Sequence, residues 1–364
     1  MTAQAESRPC TDHQPSSKKA KISGSPAVET GSAAMTTGST GCIGTHDGTF
    51  HCDEALACYL LQQTEPYKHS SIVRTRDPAV LNTLSAVLDV GGIYDPESNR
   101  YDHHQRGFKE SFGFGFETRL SSAGLVYKHF GRGIISGLLS LPEEDSRVEK
   151  VFLRVYKGFM ESIDAIDNGI GQYDEEIGEP RYQLNTHLSA RVANLNPKWN
   201  EDNSPESQLR GFEAAVALTG KEFTESVKYY GNTWLPAREY VHEALENASK
   251  IHPSGEIMQL SQFCPWKEHL YELEEELGIP GKLKYCIFQD SKGSFRVQAV
   301  SVTAQSFESR KALPAAWRGL RDAELSSEAK IPGCVFVHVG GFIGGHATEE
   351  GARKMAIAAL AMDY

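Results

Sequence analysis

Tyr101-Asp102-His103-His104-Gln105 puts one carboxylate and two adjacent imidazoles in a single short stretch, after the turn-rich run Tyr94-Asp95-Pro96-Glu97-Ser98-Asn99-Arg100. Alone, Asp-His-His also fits a polar surface loop. It has company. His46, His51 and Asp53 lie upstream, followed by Asp89, and Asp164 and Asp167 lie downstream. Imidazole and carboxylate together are the ligand set of Mn, Zn or Fe, and such a site needs no cysteine. His51 and Asp53 are two residues apart, so they would not share a helix face; they converge only from a loop or a helix start.

The elements that must position these residues read as a parallel α/β sheet. Residues 41–45 form a short apolar strand that ends in His46. A loop over 47–51 precedes a helix over about 53–61, with Ala55, Leu56, Tyr59 and Leu60 as its apolar positions. Residues 71–75 are strand-like, Pro78 opens a helix to Leu84, and the apolar strand 86–90 is stopped by Gly91-Gly92. Strand and helix in alternation are the mark of a parallel sheet, whose ligands gather beyond the strands' carboxyl ends. His46 and Asp89 both fall there. Helices are expected over 120–130 and 146–166, the second with Val151, Val155, Phe159, Ile163 and Ile166 on a core face. Asp164 and Asp167 stand at its end, where the helix dipole disfavours anions unless a cation is near. The residues leave open which of the two acids is a ligand.

The chain resembles the DHH phosphoesterases, the superfamily of RecJ-type nucleases and type II inorganic pyrophosphatases. Within it the chain is most similar to the melanocyte proliferating gene (Myg) branch, described as RNA exonucleases. The likeness is carried by Gly44-Thr45-His46-Asp47-Gly48-Thr49-Phe50-His51-Cys52-Asp53-Glu54-Ala55-Leu56-Ala57-Cys58, Val73-Arg74-Thr75-Arg76-Asp77-Pro78, Asp89-Val90-Gly91-Gly92, residues 101–106 and residues 340–346, and it covers the chain from about 42 onward. It implies that His46, His51 and Asp89 hold one divalent metal. Asp53, Asp89, His103 and Asp167 hold a second, with Asp89 bridging. His104, beside Asp102, serves catalysis as a donor to the phosphate. Most of the superfamily has an aspartate where His51 stands. The spacing here, His-x-x-x-x-His-x-Asp, leaves open whether His51, Asp47 or a water completes the first metal. The mixed ligand set favours Mn²⁺, with Mg²⁺ second because it prefers oxygen. The resemblance further implies single-stranded RNA as the partner, 3′-to-5′ polarity, and nuclear and mitochondrial localisation.

The remaining chain suggests a helical bridge over 186–254, broken by the polar run 194–205, and a smaller α+β substrate domain over 255–364. The pair 284–288 and 294–300 reads as a hairpin around Asp290-Ser291-Lys292-Gly293, and 334–339 as a strand. The acidic run 272–276 reads as a solvated helix face. Gly340-Gly341-Phe342-Ile343-Gly344-Gly345-His346 resembles the glycine-rich motif of the DHH-associated domain. There Gly344, Gly345 and His346 would meet phosphate, and the other reading is a tight strand-to-helix turn. Trp317 and Arg318 are candidates for base stacking and phosphate contact, with Trp317 equally readable as core.

Composition sets the outer bounds. The 364 residues are 40% hydrophobic and 23% charged, which suits two globular domains. No apolar run is long enough to span a bilayer. Seven cysteines with no Cys-x-x-Cys pair argue against a disulfide framework or a thiolate zinc site, and Cys52 reads as a small buried side chain. The net charge of −11 disfavours a long-duplex binder and favours a short single-stranded contact or a small phosphate substrate, such as pyrophosphate or a short oligonucleotide. A metal-binding regulator without catalysis is the reading from a different class. Residues 1–41 lack a hydrophobic period and are expected to be disordered, with Lys18, Lys19 and Lys21 either an import signal or part of a solvated tail.

Overall fold

The computed structural model describes residues 41–173, 178 and 182–362. The expected N-terminal tail and its lysine cluster lie outside the described residues. The first sheet has the strand order β2-β1-β3-β5-β4. It is built from β1 (Cys42–Thr45), α1 (Cys52–Gln62), β2 (Ser71–Arg74), α2 (Pro78–Leu81), β3 (Ala86–Leu88), β4 (Tyr94–Asp95) and β5 (Arg100–Tyr101). The pairs β1–β2, β1–β3 and β3–β5 are parallel, and only the edge strand β4 runs antiparallel. Apolar β1 and β3 are buried because helices cover the sheet.

A hairpin of β6 (Ser111–Gly113) and β7 (Phe116–Arg119) leads into α3 (Ser122–Leu139), α4 (Ser146–Val155) and α5 (Glu161–Asp167). The third helix runs nine residues beyond the expected end at 130, through Gly131, Gly133 and Gly137. Those glycines lower helix propensity locally, and packing overrides them. At Gly131 a Cβ would stand 2.7 Å from the Phe152 ring, so α3 and α4 approach closely there. Residues Tyr156–Met160 form a single π-helical turn between α4 and α5. Phe112 stacks on Tyr156 at 3.7 Å within this core.

The stretch expected as a bridge comprises α6 (Leu188–Ala193), α7 (Pro205–Tyr229), a π turn at Tyr230–Trp234, α8 (Leu235–Glu246) and α9 (Ala248–Ile251). It is shared between two cores. Phe212, Ala215, Phe223 and Val227 belong with Ile43, Leu56 and Val126, whereas Ala237, Val241 and Ala244 belong with Met258, Leu270 and Cys286.

The second sheet is formed by β8 (Ile257–Gln259), β9 (Tyr285–Gln289), β10 (Phe295–Ala299), β11 (Cys334–Val337) and β12 (Ile343–His346), in the order β11-β12-β10-β9-β8. The helices α10 (Lys267–Glu276), α11 (Asp322–Ala329) and α12 (Glu349–Ala361) accompany it. The β9–β10 hairpin turns at Gly293 with φ +84°, as its sequence predicts.

In this half expectations for the glycine-rich run, Arg318 and the acidic run are corrected, and the open reading of Trp317 is decided. Only the first part of the glycine-rich run, Gly340-Gly341-Phe342, is a turn; Gly344 and Gly345 lie inside β12, paired on both sides with β10 and β11. A Cβ at Gly345 would meet Arg296 Nη1 at 2.5 Å and the Phe336 ring at 2.9 Å, so close packing excludes a side chain. His346 is buried, with Nε2 2.9 Å from the Pro332 carbonyl and Nδ1 accepting the Thr348 N–H at 3.0 Å. Trp317 is core, and Arg318 Nε donates to the Leu313 carbonyl at 2.9 Å. The acidic run is not wholly solvated either: Glu274 is buried, pairs with Arg310 at 2.8 Å and accepts the Leu283 N–H at 2.8 Å.

Candidate metal centre

Three adjacent parallel strands deliver their next residues to one place. His46 follows β1, Asp89 follows β3, and Asp102-His103-His104 follows β5. Asp89 sits at φ +56°, a left-handed conformation that a non-glycine residue adopts only when its surroundings impose it. Its N–H donates to the Tyr101 carbonyl at 3.1 Å, which locks the turn. Arg74 braces the loop after β1, donating to the carbonyls of His46 at 3.2 Å and Gly48 at 2.6 Å. Asn196 braces its far end: its carboxamide accepts the Phe50 N–H at 3.0 Å and donates to the Phe50 carbonyl at 2.9 Å.

The side chains then converge. His46 Nε2 lies 3.1 Å from Glu54 Oε1 and 3.4 Å from Asp89 Oδ2. His103 Nε2 lies 3.2 Å from Asp89 Oδ1 and 3.1 Å from Asp167 Oδ2. Neither contact of His103 has hydrogen-bond geometry, and both of its buried ring nitrogens lack a hydrogen-bond partner. Asp53, in the first turn of α1, is 1% exposed, and both of its carboxylate oxygens are unpartnered. Four groups of potential ligand atoms each fall within 4.8 Å: His46/His51/Glu54, Asp53/Glu54/Asp89, Asp53/His103/Asp167 and Asp89/His103/His104. His51 is an exposed member, its ring 5.9 Å from that of His46.

The electrostatics describe a set of acids in search of cations. Burial, reinforced by Asp89, Asp167 and Glu54, pushes the Asp53 carboxyl well above the usual range. Burial would raise Asp89 too, but the imidazoles of His103 and His46 beside it outweigh burial and hold that carboxylate low. Burial would lower both imidazoles, yet their acidic neighbours push His46 and His103 up to about 10. The N-terminus of α1 offers partial positive charge to Asp53 and Glu54, but a helix end is equivalent to only about half a charge. Buried carboxylates without partners are unfavourable unless a cation joins them. The residues therefore fit divalent metal, and protons compete with it for the same atoms.

Other expected residues take different places. Asp102 is buried and works as a brace: Oδ2 accepts the Gly92 N–H at 2.5 Å, and Oδ1 accepts the His104 N–H at 3.1 Å and lies 2.8 Å from His104 Nδ1. His104 keeps an exposed ring. It lines a cavity of about 250 Å³ with His46, His51, Arg76, Asp89, Val90, Gly91, Gly92 and Asp102. Asp167 faces His103, whereas Asp164 turns away and accepts the N–H and hydroxyl of Ser121 at 2.9 and 2.8 Å. Cys52 is buried, and burial pushes its thiol up to about 12. Gly344, Gly345, His346 and Arg318 are not among the residues brought together here. Glu54 is the cluster member that sequence reading missed. Its signal was present, three residues after His51, but that spacing is also the signature of a helix cap.

Comparison with known proteins agrees with the motifs. Residues 42–360 match the family model MYG1_exonuc, described as "Uncharacterised protein family (UPF0160)". The "MYG1 exonuclease" of Mus musculus is 52% identical over 325 residues, covering 88% of this chain and 84% of the relative. The "MYG1 exonuclease" of Homo sapiens is 52% identical over 326 residues, covering 88% and 85%. A "MYG1 protein" of Saccharomyces cerevisiae is 43% identical over 324 residues, covering 88% and 95%. No solved structure matches the chain. With the family model spanning nearly all of the described residues and several relatives well above 30% identity, the chain belongs to the MYG1 exonuclease family.

Proposed function

We propose that the chain is a metal-dependent phosphodiesterase of the DHH type, acting as a 3′-to-5′ exonuclease on single-stranded RNA. The observation that carries the metal dependence is Asp53, a buried carboxylate with two unpartnered oxygens, set among Glu54, Asp89, His103 and Asp167. The nuclease reading is supported by relatives bearing the name exonuclease. RNA and polarity rest on the resemblance of the motifs, and the acidic net charge fits contact with a short single strand better than with a duplex.

His46, His51 and Asp89 would hold one divalent ion, and Asp53, Asp89, His103 and Asp167 the other. Such ions, when bound, would supply positive charge for a phosphodiester and lower the pKa of a nearby water. The chain's own residues do the rest. Asp102 fixes His104 through Nδ1, leaving Nε2 of an exposed imidazole to face the phosphate, where it donates a proton or hydrogen bond to an oxygen. The Gly92 amide is spent on Asp102, so that bond shapes the loop and does not bind substrate. Arg76, on the cavity wall, supplies positive charge at its mouth and is already 3.4 Å from Asp47.

The small cavity also favours a second reading, hydrolysis of pyrophosphate or very short oligonucleotides. One experiment separates them. End-labelled single-stranded RNA and pyrophosphate are offered to the protein with Mn²⁺, with Mg²⁺ and with chelator. Stepwise loss of 3′ nucleotides, fastest with Mn²⁺ and absent in chelator, is expected. Turnover of pyrophosphate but not RNA would replace the exonuclease with the small-phosphate reading, and no metal-dependent turnover of either would leave a silent metal-binding protein.

A further inference from the structure

We propose that Glu54 is itself a metal ligand, and that its carboxylate joins the His46/His51 side of the centre to the Asp53/Asp89 side. The inference rests on the metal reading above and adds a donor that the motif pattern does not contain.

Glu54 stands at the third position of α1, with His51 as the residue before the helix. A glutamate three residues into a helix ordinarily closes a cap by accepting the backbone N–H of the preceding turn. Glu54 does this, but with one oxygen only: Oε1 accepts the His51 N–H at 2.7 Å. Capping glutamates gain nothing from burial, because the cap needs one oxygen and water serves the other. Here the side chain is fully buried and Oε2 has no partner. An ionised oxygen in that position is unfavourable in the absence of a cation, as any buried unpaired charge is.

The surroundings of the carboxylate say what it serves. Glu54 is within ligand-atom reach of both halves of the centre: with His46 and His51 in one group, and with Asp53 and Asp89 in another. His46 itself lies 3.1 Å from Oε1. Asp89 lies within reach of Asp53, Glu54, His103 and His104. Two carboxylates, Asp89 from β3 and Glu54 from α1, thus span the cluster from opposite elements. Glu54 supplies the anionic donor that the His51 position lacks. A neutral imidazole there offers one nitrogen and no charge, and the neighbouring glutamate restores a hard oxygen for a cation such as Mn²⁺.

The capping and ligand roles separate in Glu54→Gln. Glutamine still accepts the His51 N–H through its carbonyl, and glutamine also closes a capping box. It removes the charge and offers a weak donor. Purified full-length protein is stripped of metal and titrated with Mn²⁺ by calorimetry, with electron paramagnetic resonance read on the same samples. Wild type should bind two Mn²⁺ with a spin-coupled signal. Glu54→Gln should keep or raise its metal-free melting temperature, bind Mn²⁺ at least tenfold more weakly, and lose the coupled signal. Glu54→Asp keeps the charge but withdraws it by one methylene, and should fall between the two. Wild-type affinity and coupling in a folded Glu54→Gln protein would reduce Glu54 to a cap. If Glu54→Gln does not fold, wild-type affinity and coupling in Glu54→Asp overturn the proposal in the same way. Wild type that binds no Mn²⁺ would instead overturn the metal reading, and this assignment with it.

Discussion

The Asp164 carboxylate accepts both the N–H and the hydroxyl of Ser121, at 2.9 and 2.8 Å, and so fastens the end of the α4–α5 region to the start of α3. Tyr156 donates to its other oxygen at 3.0 Å. Burial pushes this carboxyl up to about 7 against these three hydrogen bonds, with Asp167 adding to the rise. The folded protein therefore holds a proton there that the unfolded chain, with an ordinary carboxyl near 4, releases. Stability from this group is fully present below about pH 4 and declines as pH rises toward about 7, by a few kcal/mol in all. Asp164→Asn should flatten that decline when urea unfolding of metal-free protein is compared at pH 5 and pH 8. Asp164→Ala leaves the buried Ser121 N–H unpaired and should lose about 2–4 kcal/mol at pH 5, and less at pH 8, where wild type has already lost part of this group's contribution.

Asp53 and Asp89 should respond in opposite senses with and without metal. Asp53→Asn removes a buried charge from beside Asp89, Asp167 and Glu54, so the metal-free melting temperature should rise. The further rise produced by Mn²⁺ in wild type should vanish in the variant. Asp89→Ala should abolish hydrolysis, by at least about a thousandfold, because it serves both halves of the centre. Differential scanning fluorimetry and RNA turnover on one preparation check both statements, and an unchanged Mn²⁺ shift in Asp53→Asn would remove Asp53 from the ligand set.

His104→Ala should lower kcat by about 10²–10⁴ with metal content intact, as expected for loss of a general acid. Asp102→Asn should act through His104. It keeps the shape of the brace but weakens the hold on Nδ1, so the pH profile of kcat should shift while bound metal stays constant. Equal loss of metal in either variant would make the pair structural supports of His103.

Arg154 of α4 pairs with Glu268 of α10 through Nη2 and lies over the rings of Tyr230 at 4.9 Å and Trp234 at 5.2 Å. Trp234 Nε1 donates to the same carboxylate at 3.0 Å. This assembly couples the two cores. Arg154→Ala should destabilise by about 1–3 kcal/mol, between the values for exposed and buried pairs, since the Glu268 side chain is 37% exposed. Thermal unfolding should also separate toward two transitions, which calorimetry reads directly.

His346→Ala should damage the second sheet without touching the metal. Both ring nitrogens are engaged, and the ring packs where a Cβ on Gly351 would stand 1.8 Å from Cε1. A loss of about 2–4 kcal/mol in stability is expected, with Mn²⁺ content unchanged. Gly351→Ala should be at least as harmful. A His346→Ala protein of normal stability but weak RNA binding would restore this residue to the substrate.

Some of this was legible in the sequence because single residues carried it. The apolar runs of β1 and β3 end at His46 and Asp89, and that alone puts both at the carboxyl edge of a parallel sheet. Asp167 and Asp164 were inseparable by spacing, because only the docking of α3 against α5 decides which one meets Ser121. Glu54 was hidden by a spacing with two meanings, and only burial of its second oxygen distinguishes them. Gly344 and Gly345 misled for a related reason: glycine serves a phosphate loop and a crowded strand equally well, and the crowding comes from Arg296 on β10 and Phe336 on β11, which only strand pairing brings alongside. The bracing role of Asp102 was hidden because motifs record which residues occur together, not which way each carboxylate turns.

The left-handed backbone at Asp89 has an evolutionary consequence. Glycine would occupy that conformation more comfortably, by about 1 kcal/mol or more. It would forfeit the carboxylate that His46 and His103 approach. A library of variants at position 89 sorted only for survival of heat in chelator should therefore admit glycine beside aspartate, while one sorted for phosphodiester cleavage should return aspartate alone. Turnover narrows the choice at this residue further than foldability does.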